Sequence, residues 1–167
     1  MQFVSSDTSV WIDFSTIHRL SLPFQLPYTY IMSRDAVEDE LLSPPDIGEK
    51  LKAYGLVPVD ITIEEFFLAQ QYGNLYARLS VYDRIALAIA RHLQIILMTG
   101  DGALRKAASK EGVAVIGTLG ILDRLHTDGV IDDGEYKSCL EDLKNNNGGV
   151  IRLPQIEIDR RLRSLKQ

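Results

Sequence analysis

The chain alternates between two hydrophobic periods. Short, largely apolar runs of strand length occur at residues 2–6, 28–32, 56–61, 95–99 and 113–116. Between them apolar residues recur at helical spacing, first as Val10, Phe14, Ile17 and Leu20. Residues 35–42 form a short helical pattern ended by Ser43-Pro44-Pro45, and 50–54 form another stopped by Gly55. Thr62 with Glu65 reads as a capping box opening a helix that runs to about Gly73. Ser80 with Asp83 opens the next in the same way, and its Ala86, Ala88 and Ala90 allow close approach to a sheet. The run IILMT at 95–99 suits the middle of a parallel sheet, and Gly100-Asp101-Gly102 breaks it. A helix then passes through Leu104 and Ala108 to Gly112, and Thr118 opens one more. Asp132 with Glu135 starts a helix that ends in the turn-prone NNNGG at 145–149, and a last short helix begins near Pro154.

Strands alternating with helices predict right-handed crossovers and an α/β fold. The expected architecture is three-layered: a central parallel sheet of four to five strands flanked by helices, with a C-terminal helical extension. Residues 1–129 read as the core, and 130–167 as helices packed on or beside it. No internal repeat is present.

Composition narrows the functional classes. At 167 residues and 46% hydrophobic, the chain has enough apolar side chains for one sizeable core. Its net charge of -5 excludes nucleic-acid binding by bulk charge, so any such contact must rest on a local basic patch or on metal. The single cysteine, Cys139, can form neither an intrachain disulfide nor a thiolate zinc cluster, and reads as a structural thiol in a reducing, cytoplasmic compartment. The N-terminus has no signal-peptide pattern, and no apolar run reaches membrane-spanning length.

The acids fall where chemistry is expected. Ligands of open parallel sheets bind at the carboxyl ends of the strands, where strand order reverses. Asp7 and Asp101 follow two of the predicted strands; Glu40 and Asp83 lie on helices that can face the same edge. Converging carboxylates without a basic partner either take up protons or recruit a cation, and oxygen ligands suit Mg²⁺ or Mn²⁺. Local roles compete with that reading. Asp83 is explained by its capping box, Asp101 by an N-cap, and capping remains open to Asp7. Glu38 competes with Glu40 but is accounted for by a D-x-x-E box with Asp35.

Four stretches carry a family resemblance. SSDTSVWIDF, AVEDELL, SVYDRIALAIA and ILMTGDGALRKAASKEGVAVIGTLGILDRL resemble the four acid-bearing segments of PIN domains, in a stand-alone prokaryotic branch like the VapC toxins. The resemblance spans roughly residues 2–126. It implies a Mg²⁺- or Mn²⁺-dependent endoribonuclease leaving a 5′-phosphate and a 3′-hydroxyl. Asp7, Glu40, Asp83 and Asp101 would form the catalytic, metal-binding quartet, with Thr8 or Thr99 in support. It also implies an RNA substrate, a small antitoxin protein as partner and a homodimer. The segment from Pro44 to Ser80 and the C-terminal extension are longer than in the most compact toxins.

Other features weigh less. Arg105 and Lys106 follow Asp101 by one turn and could reach a phosphate; Arg84 could pair with Asp83. Residues 150–167 are basic and read either as an RNA contact or as a face docked on the acidic body. His18, His92 and His126 lack metal-ligand spacing, and Trp11, Phe14, Phe66 and Phe67 read as core or interface. The alternative function is a PIN-fold binding or regulatory module without turnover. A response-regulator receiver is disfavoured, because Asp7 stands alone after its strand and residues 113–118 lack a lysine.

Overall fold

The computed structural model describes residues 2–166. Five strands form one parallel sheet: β1 (Gln2–Ser6), β2 (Tyr28–Ser33), β3 (Val57–Val59), β4 (Ile96–Met98) and β5 (Val115–Ile116). Their order is β3-β2-β1-β4-β5. The chain winds outward from β1 to one edge, then returns to build the other edge from β4. The switch point therefore lies between the carboxyl ends of β1 and β4.

Nine helices are found among the described residues: α1 (Thr8–Thr16), α2 (Arg34–Glu40), α3 (Ile47–Tyr54), α4 (Ile63–Leu75), α5 (Val81–Leu93), α6 (Gly102–Lys110), α7 (Thr118–Thr127), α8 (Asp133–Asn145) and α9 (Gln155–Ser164). Both predicted capping boxes are complete, at Thr62 with Glu65 and at Ser80 with Asp83. The box expected at Asp35 is not formed. Ser33 caps α2 instead, accepting from the Ala36 amide at 3.2 Å, so Glu38 is not accounted for by capping. Thr118 opens α7 without capping it. Its hydroxyl donates to buried Asp13 at 2.6 Å.

Side chains alternate across the sheet and divide the core into two layers. Val4, Tyr30, Met32 and Met98 face one layer, shared with α1, α3 and α7. Ile31 and Leu97 face the other, shared with α5 and α6. In the first layer Trp11 stacks on Phe24 at 5.1 Å and meets Tyr30 edge-on at 5.0 Å. Phe66 and Phe67, by contrast, are exposed on α4. Buried Tyr136, Cys139, Leu140, Leu143 and Ile158 of α8 and α9 join the first layer. The basic tail is docked on the acidic body: Arg161 donates to both carboxylate oxygens of Asp123, at 2.9 and 2.7 Å.

The close seam between α5 and the sheet follows from small residues. Ala86, Ala88 and Ala90 are buried, and the Ser5 hydroxyl donates to the Ala86 carbonyl at 2.9 Å. No helix among the described residues is long and apolar enough to cross a membrane.

Asp13 gives the fold a pH signature. Burial is the larger influence and pushes its carboxyl up to about 6, against the lowering effect of the Thr118 hydrogen bond. The native state then holds a proton that the unfolded chain releases near pH 4. This stabilisation is present below the unfolded value and is lost as pH rises through about 6. Asp13→Asn should therefore stabilise the protein by about 2 kcal/mol at pH 8 and by little at pH 4. Urea unfolding at both pH values measures this; an equal effect at both would refute it.

Candidate active site

Asp7 is the best-anchored acid at the switch point. It caps α1 directly after β1, and its own amide donates to the Met98 carbonyl at the end of β4. One carboxylate oxygen accepts from the Thr8 amide at 2.5 Å and from the Thr8 hydroxyl at 3.3 Å. The other accepts from Ser9 Oγ at 3.0 Å and Thr99 Oγ1 at 2.5 Å.

Two hydroxyls tie Asp7 to the loop after β4. Thr99 Oγ1 also accepts from the Asp101 amide at 3.1 Å, and Ser9 Oγ from the Gly100 amide at 2.9 Å. Thr99 is fully buried, so this bridge is shielded from competing water. Ser9 joins the site although the four acid positions do not single it out in the sequence. Its only signal was its place two residues after Asp7.

Asp101 caps α6, accepting from the Leu104 amide at 3.1 Å, and is otherwise exposed. Asp83 closes its box with the Ser80 amide at 3.0 Å. Both capping readings are thus realised, but neither uses up a carboxylate, which has about four acceptor positions. Glu40, the last residue of α2, lines a narrow cleft with Asp7, Ser33 and Tyr82. Glu38 is exposed and does not line that cleft. The Tyr82 hydroxyl donates to Asp39, pinning the end of α2 to the first turn of α5.

Electrostatics links the four acids. Burial first, then the charges of Asp7, Asp83 and Asp39, push Glu40 up to about 7. Asp83 is also raised, chiefly by burial, with Asp7 and Asp101 adding to it and the Ser80 hydrogen bonds opposing it. Arg84 does not neutralise Asp83. Its guanidinium lies against Gly73 of α4, 3.0 Å from where a β-carbon there would sit. Arg105 likewise turns toward Gly117, while Lys106 lines a groove beside Gly102.

A family model described as a PIN domain matches residues 3–167. The chain belongs to the PIN-domain family. The match includes α8 and α9, beyond the stretch that the sequence motifs covered. No curated protein and no solved structure matches the chain. The PIN fold is a nuclease fold, and its members act on nucleic acid, typically with divalent metal.

The donor set of this PIN domain fits such an ion. It is made of oxygen alone, none of its four acids takes part in an ion pair among the described residues, and burial together with the charges of Asp7, Asp83 and Asp39 raises Glu40. Among the described residues no three acids, histidines or cysteines stand close enough to clasp one ion as they are.

Proposed function

We propose that this PIN domain is a Mg²⁺- or Mn²⁺-dependent endoribonuclease, acting as the toxin of a VapBC-type pair. The observation that carries the catalytic reading is that Glu40 feels Asp7 and Asp83, and Asp83 feels Asp7 and Asp101, with none of the four in an ion pair among the described residues. The toxin assignment rests on resemblance in the four acid-bearing segments. A small antitoxin and a second copy of the chain are its proposed partners, and the cytoplasm its proposed location.

Asp7 and Asp101 would hold the ion, and Glu40 and Asp83 would complete the cluster or orient the attacking water. A divalent cation bound there lowers the pKa of a coordinated water and offsets phosphate charge. Asp7 can offer a fixed lone pair because Thr99 and Ser9 set its rotamer. Thr8 supports the same carboxylate from the opposite oxygen. Arg105 and Lys106, one turn beyond Asp101, are candidate contacts to the RNA phosphates.

Cleavage of an RNA pool should appear with Mn²⁺ or Mg²⁺, stop with EDTA, and leave 5′-phosphate ends. Activity that persists in EDTA refutes the mechanism.

A further inference from the structure

A groove of ≈ 370 Å³ opens beside Gly102, next to Asp101. Its charged lining consists of Arg78, Lys106 and Lys110, with no carboxylate among the lining residues. In an acidic chain, three cations facing one depression make a local positive potential that attracts an anionic ligand. None of the three takes part in an ion pair within 4.0 Å among the described residues.

The groove is built from the two segments that deliver acids to the site. Arg78 lies in the loop between α4 and α5, five residues before Asp83. Gly102, Lys106 and Lys110 share one face of α6, the helix that Asp101 caps. Tyr76 forms a fixed wall: its ring packs on Tyr72 at 5.8 Å, its hydroxyl is bonded to Glu111, and Lys110 Nζ stands 6.0 Å from its centroid. Lys110 thus lies over the wall of the groove that it lines. Arg105, turned to Gly117, stands apart from this row.

We propose that Arg78, Lys106 and Lys110 form a phosphate track that leads single-stranded nucleic acid to the acid cluster. The inference rests on the nuclease reading and gives it a substrate path. Cations spaced along a groove match a repeating phosphodiester, and the two lysines, point charges on flexible stems, suit a chain of variable conformation.

The test is binding of a fluorescently labelled oligouridylate in EDTA, followed by anisotropy over a salt series. The triple variant Arg78→Gln, Lys106→Gln, Lys110→Gln is compared with a triple of equal charge change, Lys50→Gln, Lys137→Gln, Lys166→Gln. Each lost phosphate contact on a single strand removes about 0.7 from the slope of log K against log salt. The groove variant should lose about 2 from that slope and at least about tenfold in affinity at low salt, while the control keeps both. Should the triple variant fail to fold, Lys106→Gln alone should lose about 0.7. An unchanged slope in the groove variant, an equal loss in the control, or no binding by the wild type overturns the track. Intact cleavage with unchanged slopes sinks the track alone. The slope difference without wild-type cleavage sinks the nuclease reading and leaves the track standing.

Discussion

Asp7→Asn should lower metal-dependent RNA cleavage on the order of 10³-fold, about 4 kcal/mol of transition-state stabilisation, while leaving the protein folded. The argument is local. Asp7 is the acid whose two oxygens both receive hydroxyl hydrogen bonds, from Thr8 on one side and from Ser9 and Thr99 on the other. An amide of the same shape removes the charge. It also puts an N–H where one oxygen had accepted, so a hydroxyl must reverse or lose its partner. The fold should tolerate this, because removing one negative charge relieves Glu40 and Asp83, which both feel Asp7. A circular dichroism spectrum and melting midpoint near those of the wild type, beside near-zero cleavage, is the expected pair of results. Retained cleavage in Asp7→Asn would remove this carboxylate from the mechanism.

The second large effect is on stability. Mn²⁺ at about a hundred times its dissociation constant should stabilise the folded state by about 2.7 kcal/mol, raising the melting midpoint by about 5–10 °C. Part of that gain is relief of a standing cost, since the metal-free site holds unneutralised acids in one field. Glu40→Gln isolates this component. It should raise the midpoint of the metal-free protein by lowering repulsion and burial cost, and reduce the response to Mn²⁺. Differential scanning fluorimetry with and without the ion reads both. A Mn²⁺ shift of the same size in wild type, Asp7→Asn and Glu40→Gln would place the ion elsewhere.

The architecture was legible because its signals are local. Periods, capping boxes and glycine stops located the strands and most helix starts, and the parallel order followed from their alternation. The start of α2 was misread because Ser33 ends a strand and caps a helix at once, whereas a pattern search favours the carboxylate at Asp35. For the acids, sequence could name positions but not neighbours. Glu38 and Glu40 flank the same apolar face, and only the packing of α2 beside β1 and α5 sets Glu40 against Asp7 and Asp83. Lys106 is a candidate on sequence grounds alone, by its nearness to Asp101. Arg78 has no such signal, because its place in the groove depends on how the loop between α4 and α5 folds back beside α6. Buried polar partners such as Asp13 with Thr118 left no short-range trace, being joined across the chain.

The seam between α5 and the sheet sets a dimension of the site that no acid controls. With Ser5 bonded to the Ala86 carbonyl, and Ala86 small enough to allow that approach, the helix bearing Asp83 sits close on the sheet whose central strand leads to Asp7. The alanines act as calipers. Bulk added there widens a gap between charges, and displacements near 1 Å at a reacting centre can cost about a hundredfold in rate. The standoff of α5 from β1 is thus a geometric part of the site, alongside the charges of its four acids.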